Sequence, residues 1–173
     1  MTPDLLANHS LSRELASCGN LFHRWQWSLS SSSNYSALLD PETVVISRSG
    51  VDKERMTSAD FMLVDLQGQP ASEYASFKPS AETELHCHAY RIARQQGLPV
   101  GSVLHTHSKY AVYFSRRCIK QGSIVFSGFE MQKIFEGITT HDSTVVLPVF
   151  RNSQDMSDIV ADFDKWLQIN AWP

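Results

Sequence analysis

Between Ser80 and Arg117 the chain spells a helix, a short strand and a second helix with few residues to spare, and that order restricts the folds open to it. Ser80 has the chemistry of a helix N-cap, with Glu82 and Glu84 in a first turn whose dipole favours anions. The helix should run to about Gln96 and stop at Gly97 and Pro99. Val103-Leu104-His105-Thr106-His107 then reads as a strand, and Ser108 is placed to cap a helix through about Arg117. The same alternation holds elsewhere. Helices are predicted from about Leu5 to Ser17, with Leu5, Leu11 and Leu15 near one face, and from Ser157 to Gln168; Met131 to Phe135 reads as a helical turn ending at Gly137. Strands are predicted at Val44-Val45-Ile46, Phe61 to Leu66, Ile124-Val125-Phe126 and Val145 to Val149, with turns at Asp40-Pro41 and at Gln67-Gly68-Gln69-Pro70. Alternating helices and strands imply a layered α/β domain. Several connections are too short for a parallel crossover, so a mixed or largely antiparallel sheet is expected.

At 173 residues the chain fits one domain with a full core. A net charge of -3 gives no reason to expect a nucleic-acid or anionic-membrane partner. No apolar run approaches a bilayer span, and Met1 to His9 lacks the basic start and apolar core of a signal peptide, so a cytoplasmic protein is expected. Cys18, Cys87 and Cys118 are odd in number and widely spaced, which fits neither a disulfide framework nor a Cys-x-x-Cys knuckle. Cys87, close to the proposed site, reads as a small buried thiol on a helix, with a ligand role as the alternative.

The chemistry concentrates at His105 and His107. In an extended strand, side chains at i and i+2 share a face, so the two imidazoles can reach one metal ion. Imidazole suits zinc, and a catalytic zinc usually takes three protein ligands plus an open position. A His-x-His pair on a solvated strand face is the plainer alternative. Three further segments, Ser32-Ser33-Asn34, Ser47 to Lys53 and Lys78-Pro79-Ser80-Ala81-Glu82, combine hydroxyls, an amide, a glycine and lysines at strand-to-loop junctions, a combination that suits a phosphate. Each alone is equally an ordinary turn. Glu82 and Glu130 are the candidate acid/base carboxylates; a helix-dipole role for the first and a solvated helix face for the second are the structural alternatives.

Taken in order, these segments resemble the class II aldolase/adducin family. The resemblance runs through Trp27-Ser28, Ser33-Asn34-Tyr35-Ser36-Ala37, Ser49-Gly50, Lys78-Pro79-Ser80-Ala81-Glu82-Thr83, Val103 to Ser108, Glu130-Met131-Gln132-Lys133 with Gly137, and Pro148-Val149-Phe150 with Asn152 and Gln154-Asp155. It implies a three-layer α/β/α fold with a central mixed, mostly antiparallel sheet, assembled as a homotetramer. It implies one zinc ion per subunit, held by His105, His107 and a third, downstream histidine. Asn34, Ser49, Gly50 and Ser80 match positions that hold a substrate phosphate, and Glu130 matches the catalytic glutamate of the family's dehydratase branch. Glu82 falls where the aldolase branch places its acid/base group. The implied substrate is a small sugar phosphate, a ketose phosphate with a thioether tail, that loses water. A sugar-phosphate aldolase and a non-catalytic, adducin-like assembly module are the alternatives. The third histidine belongs to a segment resembling Arg-Gly-His-Gly, expected past Trp172-Pro173, so the single domain is expected to lack its C-terminal segment; His141 matches a loop position instead.

Overall fold

The computed structural model describes Leu6 and residues 8–170, and the chain divides between Lys109 and Tyr110 into two compact units. The first unit is built on a four-stranded sheet. Its strands are β1 (Asn34–Asp40), β2 (Thr43–Ser47), β3 (Phe61–Asp65) and β4 (Ser102–His105), in the order β3-β2-β1-β4. Every pairing is antiparallel. The turn at Asp40-Pro41 is a tight one between β1 and β2, where Asp40 Oδ1 accepts from the Glu42 amide at 2.8 Å. Four consecutive residues of β2, Val44 to Ser47, are buried, and so are Phe61 to Val64 of β3. A strand buried at successive positions has both faces covered, which is why both segments read as unbroken apolar runs.

Two helices supply the cover. Helix α1 (Ser10–Arg24) begins later than the predicted Leu5 start and runs seven residues beyond Ser17; Leu5 itself lies outside the described residues. His9 caps it, its Nδ1 accepting from the Leu11 amide at 3.2 Å, a cap that a search for Ser, Thr or Asp overlooks. Helix α2 (Thr83–Gln96) ends as predicted at Gly97, which adopts φ +70°. Its start departs from prediction. Ser80 is not the cap: its hydroxyl donates to the Ser47 carbonyl at 2.7 Å, and Glu82 occupies the N-cap position.

Adjacent residues of β1 place these helices on opposite faces. Tyr35, fully buried, packs against α1, where a Cβ built on Gly19 would lie 2.9 Å from its ring and 2.8 Å from Met56 Sδ. Ser36 faces α2, with its Oγ 2.7 Å from His86 Nδ1 and 2.8 Å from the Tyr90 hydroxyl. Helix, sheet and helix therefore form three layers within this unit. The Gly19→Ala protein is expected to lose about 1–2 kcal/mol, because overpacking a filled core outweighs the helix-propensity gain of alanine. A thermal melt matching the parent would contradict this account of the α1–sheet contact.

The second unit holds α3 (Lys109–Cys118, of which Lys109 belongs to the first unit), the antiparallel strands β5 (Ser123–Phe126) and β6 (Val145–Pro148), and α4 (Met156–Leu167). All four lie within about a residue of their predicted bounds. The expected helical turn at Met131–Phe135 is a 3-10 turn over Glu130–Ile134. Gln132 anchors it: this residue is buried, its Nε2 donates to the Ser143 carbonyl at 2.5 Å, and its Oε1 accepts from the Phe129 amide at 3.3 Å. Among the described residues no helix is long and apolar enough to cross a membrane.

Candidate active site

In the first unit the chain crosses from strand to loop at four places that converge. β1 begins at Asn34 after a serine turn in which Ser30 and Ser33 hold φ of 55° and 75°, a strained left-handed geometry that bends the chain tightly. β2 ends at Ser47 and continues as Arg48-Ser49-Gly50, with Gly50 at φ +78°, a conformation that favours glycine. The Ser49 amide donates to the Lys78 carbonyl at 2.9 Å and the Ser80 amide to the Ser47 carbonyl at 3.3 Å, which binds the segment 78–82 alongside. β4 ends at His105, and just past it the His107 amide donates to the Trp27 carbonyl at 2.7 Å, which ties this segment to the start of the serine turn.

These four junctions enclose a cavity of about 170 Å³. Asn34, Ser49, Gly50, Ser80, Glu82 and His107 all line it, together with Arg48 and the serines 31–33. The sequence-predicted phosphate residues are thus brought together with Glu82 and with one of the histidine pair. The predicted lysines are not. Lys53 is 1% exposed, with its Nζ donating to the Val51 carbonyl at 2.7 Å, and neither it nor Lys78 lines the cavity. Burial pushes the Lys53 ammonium below its usual range, opposed by Asp52, Asp60 and Glu82. The cavity's cation is Arg48, whose Nη2 donates to Asp60 Oδ1 at 3.0 Å and whose guanidinium lies 4.6 Å from the Phe77 ring centre.

His105 and His107 are neighbours, with ring centres 4.6 Å apart, as the i, i+2 spacing requires. Burial pushes His105 below the ordinary histidine range and the adjacent His107 adds to it, while Glu82 pulls the other way. A neutral imidazole is the form that binds a metal. Two neighbouring imidazoles fit a divalent metal as two of its ligands. No third ligand joins them: among the described residues no group of three or more His, Cys, Asp and Glu side chains comes together. Cys87 is fully buried on α2, and burial pushes its thiol up to about 11, as a structural thiol behaves.

In the second unit Glu130 is exposed at the start of its 3-10 turn. Its Oε2 accepts from Lys133 Nζ at 2.6 Å, and its Oε1 lies 3.0 Å from His141 Nδ1. His141 is thus the neighbour of the predicted catalytic glutamate.

A sequence profile described as the class II aldolase and adducin N-terminal domain matches residues 13–165. The chain belongs to the class II aldolase and adducin family. Among family members, a methylthioribulose-1-phosphate dehydratase of Sorangium cellulosum is 37% identical over 158 residues, covering 91% of this chain and 72% of that protein. A protein of the same name from Xanthomonas campestris pv. campestris is 41% identical over 155 residues, covering 90% of this chain; the chain spans 65% of that relative's length. The L-fuculose 1-phosphate aldolase of Glaciozyma antarctica PI12 shares the fold, with a TM-score of 0.54 at 16% identity over 91% of this chain and 69% of its own. As a class II aldolase and adducin family member, the chain carries one residue beside the site that sequence reasoning passed over. His86 is buried under β1, one helical turn after Glu82, and that i, i+4 spacing on α2 was the available signal.

Proposed function

We propose that this protein dehydrates 5-methylthioribulose 1-phosphate to 2,3-diketo-5-methylthiopentyl 1-phosphate, a lyase step of methionine salvage, with zinc held at His105 and His107. The observation that carries the reading is the single cavity lined by Asn34, Ser49, Gly50, Ser80, Glu82 and His107. The phosphate is assigned to the mouth formed by Ser49, Gly50 and Arg48, where the Ser49 hydroxyl and the Arg48 guanidinium are the donors an anion would meet. Ser80 acts there chiefly by holding the segment 78–82 against Ser47, since its hydroxyl donates to the Ser47 carbonyl. Asn34 donates from Nδ2 to Glu82 Oε2 at 2.5 Å, which fixes the direction of that carboxylate. When bound, zinc supplies a Lewis acid that lowers the cost of removing a proton beside the substrate carbonyl. Glu130 is assigned the proton transfer, taking the proton beside the carbonyl and returning one to the departing hydroxyl. Both units belong, in this reading, to one family domain, working in the cytoplasm as a homotetramer.

Relatives named as dehydratases favour loss of water over carbon–carbon cleavage. Retention of the histidine pair and both glutamates disfavours a purely structural module. Mass analysis after incubating 5-methylthioribulose 1-phosphate with the zinc-loaded protein tests the reading. A product lighter by one water is expected. Unchanged substrate in the presence of protein that demonstrably retains zinc would overturn it.

A further inference from the structure

His86 sits beneath the histidine pair and has no role in the reading above. It is 1% exposed on α2 and its Nδ1 lies 2.7 Å from Ser36 Oγ. Its other ring nitrogen, Nε2, is buried without a hydrogen-bond partner, and so is His105 Nδ1. Leaving either atom unpaired costs about 1–3 kcal/mol, so two such atoms need explaining. The sheet register puts them on the same face of the sheet. Asn34 pairs with His105 and Ser36 with Val103 across β1 and β4, so His105 projects to the same face as Ser36, the face covered by α2. Each ring is also close enough to matter electrostatically: burial first, and then His105, push His86 down to about 3.

An imidazole that binds a metal does so in its neutral form, and a neutral imidazole carries one donor and one acceptor nitrogen. Resting on the assignment of His105 as a metal ligand, we propose that His86 is its positioning residue: His86 Nε2 accepts a hydrogen bond from His105 Nδ1–H. That bond fixes His105 in the tautomer whose Nε2 lone pair is free for the metal, and it holds the ring against rotation. The Ser36 hydroxyl, itself 2.8 Å from the Tyr90 hydroxyl, anchors His86 from the far side. Ligating histidines in general depend on such an acceptor behind them, and losing it typically weakens metal binding about 10- to 100-fold.

The proposal is tested by two measurements on the full chain. Nitrogen-15 NMR of the imidazoles in the metal-free protein should show His105 as the Nδ1–H tautomer, with the other tautomer appearing in His86→Ala. Zinc affinity, measured by competition with a chelating dye, should fall about 10- to 100-fold in His86→Ala and recover in His86→Gln, whose amide oxygen can accept the same bond. Because His86 is buried, the alanine protein is first checked by thermal melt; should it fail to fold, the glutamine protein and the wild-type NMR spectrum still decide. A His105 carrying its proton on Nε2, or zinc affinity in a folded His86→Ala protein within about twofold of wild type, overturns the proposal. A tautomer shift in Asn34→Ala but not in His86→Ala also overturns it, since the buried, unpartnered Asn34 Oδ1 is the competing acceptor. His105→Ala is the control for the site itself. Unchanged zinc affinity there removes the metal assignment, and the tautomer measurement then judges the His86–His105 bond alone.

Discussion

Replacing His107 by alanine is expected to strip the protein of zinc and to lower turnover about a thousandfold or more, while leaving its melting temperature close to that of the parent. The two halves of this expectation come from different features of the residue. His107 is exposed, lines the cavity, and is held in place through its backbone amide, which donates to the Trp27 carbonyl and survives truncation of the side chain. Surface substitutions of this kind usually change stability by no more than about 0.5 kcal/mol. Its imidazole, by contrast, is one of two that come together, and a metal held by few protein ligands tolerates the loss of one poorly. A Lewis acid stabilises developing charge by several kcal/mol, and about 1.4 kcal/mol is worth a factor of ten in rate. The His105→Ala protein is a less clean experiment, because that ring is half-buried beneath the site. Zinc content and kcat measured on purified His107→Ala decide the matter. Retained zinc with turnover within tenfold of the parent would show that the pair is not the metal site.

The contrast between these two histidines also shows what could be read from the chain and what could not. The period of two along Val103–His107 placed both rings on one side, and the structure has them in contact. The same rule, applied to Asn34-Tyr35-Ser36-Ala37, would have revealed β1, in which polar and apolar side chains alternate. That alternation is masked because Ser36 is buried and polar, paired with His86 and Tyr90 on a helix some fifty residues later in the chain. No local pattern announces such a partner. Ser80 misled for a related reason. Serine before two glutamates is chemically a cap, yet a tertiary bond to the Ser47 carbonyl claims its hydroxyl. Lys53 gave the opposite impression: a lysine in a polar turn reads as a solvated cation free to meet a phosphate, whereas the fold buries it against the Val51 carbonyl. Periodicity and breakers therefore sufficed for most elements, whereas a shared site for the serine, glycine and histidine segments was implied by the family resemblance. Which polar groups face the ligand, and which face one another, depended on pairings distant in sequence.

The assignment of proton transfer is the point at which the two candidate carboxylates make different predictions. Glu130→Gln is expected to cut kcat by about a hundredfold to ten-thousandfold with zinc content unchanged, the range over which a positioned acid or base contributes. Glutamine keeps the shape of the side chain and can still accept from Lys133, so the local 3-10 turn, anchored by the buried Gln132, should persist. Glu82→Gln acts differently. The replacement can still accept from Asn34 Nδ2, but it removes the negative charge that opposes the depression of His105. Its expected signature is altered metal affinity with a smaller loss in kcat. The two proteins therefore separate along two axes, zinc affinity and the chemical step, and the comparison does not depend on the absolute activity of the parent. If instead Glu82→Gln abolished turnover and Glu130→Gln left it intact, the proton would be moved by the carboxylate inside the cavity, as in the aldolase branch that the position of Glu82 resembles. Glu130, paired with Lys133 and His141, would then be left with a local structural role in its own unit.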